Sequence, residues 1–76
     1  MKTYLRLGAD TLDQARQYPS KKAAVAAYAE TARELARYGQ PIEASLHYAE
    51  KRDTLHEYPD YILQLTARGA VKCERT

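Results

Sequence analysis

The sequence predicts an α+β protein of two layers, with one amphipathic helix packed on a mainly antiparallel sheet in the order β-α-β-β-β. Three observations predict it. The stretch Ser20–Gly39, SKKAAVAAYAETARELARYG, carries the apolar spacing of a single surface helix. Four other segments alternate apolar and polar residues, as half-buried strands do. The last two of these are separated only by Ala67-Arg68-Gly69, so they close as a tight hairpin.

The first strand is Lys2–Gly8, KTYLRLG. Thr3, Leu5 and Leu7 point one way, and Tyr4 and Arg6 the other. Residues 9–18, ADTLDQARQY, are ambiguous: a turn of helix capped by Asp10 or Thr11, an irregular loop, or a short strand all fit. Tyr18-Pro19 ends the segment.

On a helical wheel, Ala24, Val25, Tyr28, Thr31, Ala32, Leu35, Ala36 and Tyr38 share one broad face of the following helix. Lys22, Glu30, Arg33, Glu34 and Arg37 take the other. Ser20 is placed to cap the free N–H of residue 22 or 23. Pro19 blocks backward extension. Gly39 stands where a left-handed C′ residue belongs, with Pro41 behind it. Glu34 can pair with Arg37, and Glu30 with Arg33.

Pro41–Ala49, PIEASLHYA, sets Ile42, Ala44, Leu46 and Tyr48 against Glu43, Ser45 and His47, with Pro41 as an acceptable first strand residue. A long charged loop, Glu50–Asp60, follows, with Leu55 and Tyr58 available to tuck it down. Tyr61–Thr66 presents Tyr61, Leu63 and Leu65 to one face. Gly69 supplies a positive φ, and Ala70–Glu74 returns with Val71 and Cys73 inward. The expected core is Leu5, Leu7, Val25, Tyr28, Ala32, Leu35, Ile42, Leu46, Leu63, Leu65, Val71 and Cys73. One helix covers one face. The other face, which collects Tyr4, Arg6, Glu43, Ser45, His47, Ile62, Gln64, Thr66, Lys72 and Glu74, is expected to meet water or a partner.

Seventy-six residues bound the chain to one domain, 1–76. Apolar residues make up 45% and charged residues 29%, a globular composition with a small core. The net charge of +2 does not by itself predict a nucleic-acid binder. The single cysteine excludes an internal disulfide framework and suits a reducing compartment. No apolar run reaches membrane-spanning length, and MKTYLRLGAD lacks the apolar region of a signal peptide. A cytoplasmic protein with no membrane association is expected. Tyr18, Tyr28, Tyr38, Tyr48 and Tyr58 recur every ten residues, but their neighbours differ, so no repeat underlies them.

No catalytic or cofactor motif is present, which points away from an enzyme. His47, His56 and Cys73 match no zinc spacing, so neither a metal nor a cofactor is expected. Ser45 and His47 share a strand face, and Glu43 completes a trio on paper. An open sheet surface, however, gives such a trio no pocket. Lys21 and Lys22 stand at the positive end of the helix dipole, where acidic residues are preferred. They form either an anion-binding corner with Ser20 or a pair of ordinary solvated lysines. Basic residues beside tyrosines also suit the gripping of single strands, although the charges nearly balance and neither the RNA-recognition nor the double-stranded RNA-binding order is met.

In its organisation the chain resembles the small stand-alone proteins carried by bacteriophages and conjugative elements of bacteria, a group that includes anti-CRISPR proteins. The resemblance spans the whole chain. It is carried by the strand TYLRL, the single alanine-rich helix, the strand IEASLHYA and the closing hairpin YILQLTARGAVKCE. It implies stoichiometric binding to a CRISPR effector complex and blockage of target-DNA access, and it transfers no site residue. The expected function is therefore a non-enzymatic protein-binding module of the inhibitor type, its partner a protein or nucleoprotein complex. The alternative is a small nucleic-acid-binding or regulatory protein. The expected contact residues are Tyr18, Lys21 and Lys22 at the helix start, and Tyr4, Arg6 and His47 on the second sheet face. Monomer and homodimer both fit, the latter through that face or an edge strand.

Overall fold

The alternating segments do pair, and they pair antiparallel throughout. The computed structural model describes residues 1–76. Its strands are β1 (Lys2–Leu7), β2 (Arg16–Tyr18), β3 (Ala44–Ala49), β4 (Tyr61–Leu65) and β5 (Val71–Arg75). They form one sheet in the order β2-β1-β3-β4-β5. A single helix, α1 (Lys21–Arg37), lies on one face. The ambiguous segment thus resolves into a 3-10 turn at Leu12–Gln14 and the three-residue strand β2, which makes the order β-β-α-β-β-β. Three residues are too few for alternation to show. β2 is fixed instead by its ladder to β1, with Thr3 opposite Tyr18 and Leu5 opposite Arg16.

β3 begins at Ala44, three residues after Pro41. Pro41 and Ile42 lead into it without joining the ladder. Leu5, Ala44, Leu46 and Leu63 meet Ala24, Tyr28 and Ala32 of α1 in the main core, flanked by Leu7, Val25, Ile42, Leu65, Val71 and Cys73. Small alanines let the helix approach the sheet closely. Tyr28 is fully buried and donates its hydroxyl to the Ile42 carbonyl at 2.7 Å, so its one polar atom is satisfied. Burial, assisted by Glu43, raises the Tyr28 pKa above the ordinary tyrosine value and keeps that donor protonated. Leu35 is only half-buried. Tyr38 falls past the last helical turn and is 72% exposed, so the helical wheel does not apply to it.

Both helix ends are held as expected. The Ser20 hydroxyl accepts the Ala23 N–H at 3.1 Å. At the other end Gly39 adopts φ +72, and the Gly39 and Gln40 N–H groups bond the Ala36 and Leu35 carbonyls, each at 3.0 Å. This is a Schellman termination. Ser20→Ala is expected to cost about 1 kcal/mol of stability, read as a lowered urea midpoint with an unchanged slope. Glu34 pairs with Arg37 at 3.5 Å. Arg33 does not pair with Glu30 but donates to the Gly69 carbonyl at 2.8 Å, which ties the helix to the β4–β5 turn.

The second sheet face is where the structure departs most from expectation. Half of it is covered, and by chain rather than by a partner. Ala15 from one side and the Glu50–Asp60 segment from the other close over Tyr4, and Leu55 packs on the small cluster Tyr4, Ala15 and Ala49. Tyr58 does not help; it is 88% exposed.

Candidate functional site

The six residues singled out in the sequence separate onto two faces, and the two groups differ in exposure. Tyr4 is 2% exposed and His47 1%, while Arg6 is half-buried in an ion pair with Glu57 at 3.2 Å. The expectation that these three meet a partner on an open sheet face is therefore corrected. They form the seat of an internal strap, the segment Glu50–Asp60. Tyr4 and His47 stand directly opposite each other on β1 and β3.

Polar contacts along its length hold the strap down, among them the Asp60 N–H donated to the Leu46 carbonyl at 2.7 Å. The His47 Nδ1 lies 2.8 Å from the His56 carbonyl oxygen. Glu57 accepts from Arg6, the Asp60 carboxylate accepts the Tyr48 N–H at 2.8 Å, and the Arg52 guanidinium sits 5.4 Å over the Tyr4 ring while donating to the Asp13 carbonyl. A carbonyl can only accept, so Nδ1 carries the hydrogen. In the neutral ring Nε2 then accepts, and the Ser45 hydroxyl donates to it at 2.8 Å. Burial pushes the His47 pKa below the ordinary histidine value. The His56 carbonyl opposes that shift, and Arg6 adds to it.

Ser45 and His47 have the nucleophile–base arrangement of a hydrolase pair, with a carbonyl in the place of the orienting acid. Both are buried, and the serine proton is directed at the ring under the strap. Cys73 lies on the helix side of the sheet and His47 on the opposite side, so the sheet separates these two potential metal ligands.

The other three residues come together at the helix start, and the structure adds to them. Thr3 stands opposite Tyr18 on one side and Tyr48 on the other, which sets two tyrosines in one row across the helix face of the sheet. Tyr61 packs edge-to-face on Tyr48, with ring centres 6.1 Å apart and planes at 85°. The Lys21 ammonium lies 4.0 Å over the Tyr61 ring. That contact explains why a lysine is tolerated at the positive end of the helix dipole: the ring face offsets the unfavourable field. Tyr18, Tyr48 and Tyr61 are each half-buried, and Lys22 is exposed. Arg75 stands opposite Tyr61 on β5. Burial raises the Tyr48 pKa; neighbouring Tyr61 adds to this and Lys21 opposes it.

Sequence reasoning missed Tyr48 and Tyr61 as members of this corner. Each lies on the helix side of its strand, a position that reads as core. Only the pairing register, which sets Tyr61 opposite Leu46, brings the two rings into contact beside Lys21. Beside the corner, a groove of about 530 Å³ runs between α1 and β2, floored by Leu5, Leu7 and Ala27 and rimmed by Asp10, Arg16 and Thr31.

No helix is long and apolar enough to cross a membrane. Comparison with known protein families, with characterised proteins and with solved structures finds no match to this chain.

Proposed function

We propose that this protein is a non-enzymatic binding module that acts stoichiometrically on a protein or nucleoprotein partner, in the manner of an anti-CRISPR inhibitor that occupies an effector complex and blocks target-DNA access. The observation that carries this reading is the corner of Tyr18, Lys21, Lys22, Tyr48 and Tyr61. Half-exposed tyrosines present rigid contact area at a low cost in side-chain entropy, and the lysines beside them complement an acidic surface. The burial of Ser45 and His47 supports binding over catalysis, because a nucleophile must reach its substrate. One feature favours nucleic acid as a second reading: a tyrosine beside a lysine also fits a stacked base and its phosphate.

The test is capture of partners by the tagged protein from cells carrying a CRISPR effector, with nuclease treatment, beside the variant Lys21→Glu/Lys22→Glu. The wild type is expected to retain a stoichiometric effector complex after nuclease, and the variant to lose it. The variant should stay folded. Acidic residues suit the first helical turn, which offsets the lost contact to Tyr61 to within about 1 kcal/mol. Equal capture by both proteins places the site elsewhere. Recovery only with intact nucleic acid, weakening steeply with salt, moves the reading to direct DNA or RNA binding.

A further inference from the structure

We infer that the protein self-associates edge to edge, β5 pairing antiparallel with β5 of a second copy about a two-fold axis at Cys73, so that two five-stranded sheets become one.

The two sheet edges differ in what they offer. In an antiparallel ladder, alternate residues direct both backbone groups to the same side. The Thr66 N–H bonds the Ala70 carbonyl and the Thr76 N–H bonds the Asp60 carbonyl, which fixes the alternation along β5. Lys72 and Glu74 therefore face β4, and the N–H and C=O groups of Val71, Cys73 and Arg75 face outward. Three consecutive outward positions, with no proline among them, make an edge ready to be paired. β2 is the opposite case. Its register to β1 uses Arg16 and Tyr18, leaving Gln17 outward, and the next outward position is Pro19, which has no N–H.

The side chains of β5 are complementary to themselves. With Cys73 opposite its own copy, Lys72 falls opposite Glu74 of the second chain, and Glu74 opposite its Lys72. These are the non-hydrogen-bonded positions of the new ladder, where side chains approach most closely. Lys72 and Glu74 already pair within one strand at 2.6 Å, on the face away from the helix. Two copies complete a square of alternating charge. Val71 falls opposite Arg75, so no like charges meet. Six backbone hydrogen bonds close, two at the Cys73 pair and four at the flanking pairs, by the same alternation. An edge that repels its own copy is the usual protection of an open sheet, and this edge lacks it. A two-fold axis needs a self-complementary strand, which VKCER is.

The experiment is sedimentation equilibrium on the purified chain, across about 10 µM to about 1 mM, and it needs no partner. The wild type is expected to approach twice its 8.6 kDa mass. Lys72→Glu and Glu74→Lys each put like charges opposite one another at both positions, and each is expected to weaken the dimer roughly tenfold to a hundredfold. Mixed in equal amounts, the two variants are expected to pair with each other. Cys73→Pro removes an outward N–H without touching the β4 ladder, so it should give a folded monomer. A wild type that stays monomeric throughout overturns the inference. So does Cys73→Pro that dimerises like the wild type, or single variants that do.

Discussion

Leu46→Ala is expected to remove about 2–5 kcal/mol of stability, enough to bring the domain near its unfolding threshold at room temperature. Leu46 is fully buried at the centre of the sheet, with β1 on one side, β4 on the other and the helix above. Truncation removes one methine and two methyl carbons and leaves a void that flanking strands cannot close, because their ladders fix their spacing. At about 0.05–0.15 kcal/mol per residue, the whole chain holds roughly 4–11 kcal/mol. Urea unfolding followed by circular dichroism should show the midpoint falling by more than about 1 M with the slope unchanged. Leu35→Ala serves as the comparison. It lies on the same predicted apolar helix face but is half-buried, and is expected to cost less than half as much. Equal costs at the two positions would move the core away from where the structure places it.

That contrast marks how far the sequence could be read. Alternation fixed the faces of β1, β3, β4 and β5, because one buried face forces a two-residue period. The helix and both of its ends followed from Ser20, Gly39 and the alanine-rich face, whose signals are local. What depends on long-range register did not follow. β2 shows no period of its own and exists through β1. The diagonal contact of Tyr48 with Tyr61 depends on how β3 and β4 are staggered, with Tyr61 opposite Leu46. The strap has the weakest signal of all. Glu50–Asp60 is almost wholly polar, and one leucine among charges gives no amphipathic pattern. Its attachments include a carbonyl, two carboxylates and a guanidinium, each matched to a partner outside the segment. Tyr4 gave a partial hint, as an aromatic ring on a face read as polar. Of the candidate contact residues, Tyr18, Lys21 and Lys22 lie together at the helix start, the lysines exposed and Tyr18 half-buried, while Tyr4, Arg6 and His47 have structural partners.

The strap is expected to make the protein acid-sensitive, with His47 as the group that reports it. His47→Ala should cost about 2–4 kcal/mol, since it empties a buried site and strands the Ser45 hydroxyl and the His56 carbonyl. The pH dependence is the sharper reading. The folded pKa lies below the ordinary histidine value of 6.5. Well above that value both states are neutral at this site, and stability is independent of pH there. As pH falls below it, the unfolded chain takes up a proton that the native ring resists, so stability declines, and the decline stops once pH passes the folded value. Protonation also turns Nε2 from acceptor to donor. The Ser45 hydroxyl must then rotate to accept, and its own hydrogen loses its partner. Arg6 faces the same ring and opposes the new charge, whereas Asp60 favours it. Urea midpoints measured from pH 7.5 to pH 5 should therefore fall for the wild type and stay nearly level for His47→Gln, which cannot titrate. A wild-type slope unchanged by that substitution would assign the acid step to another group.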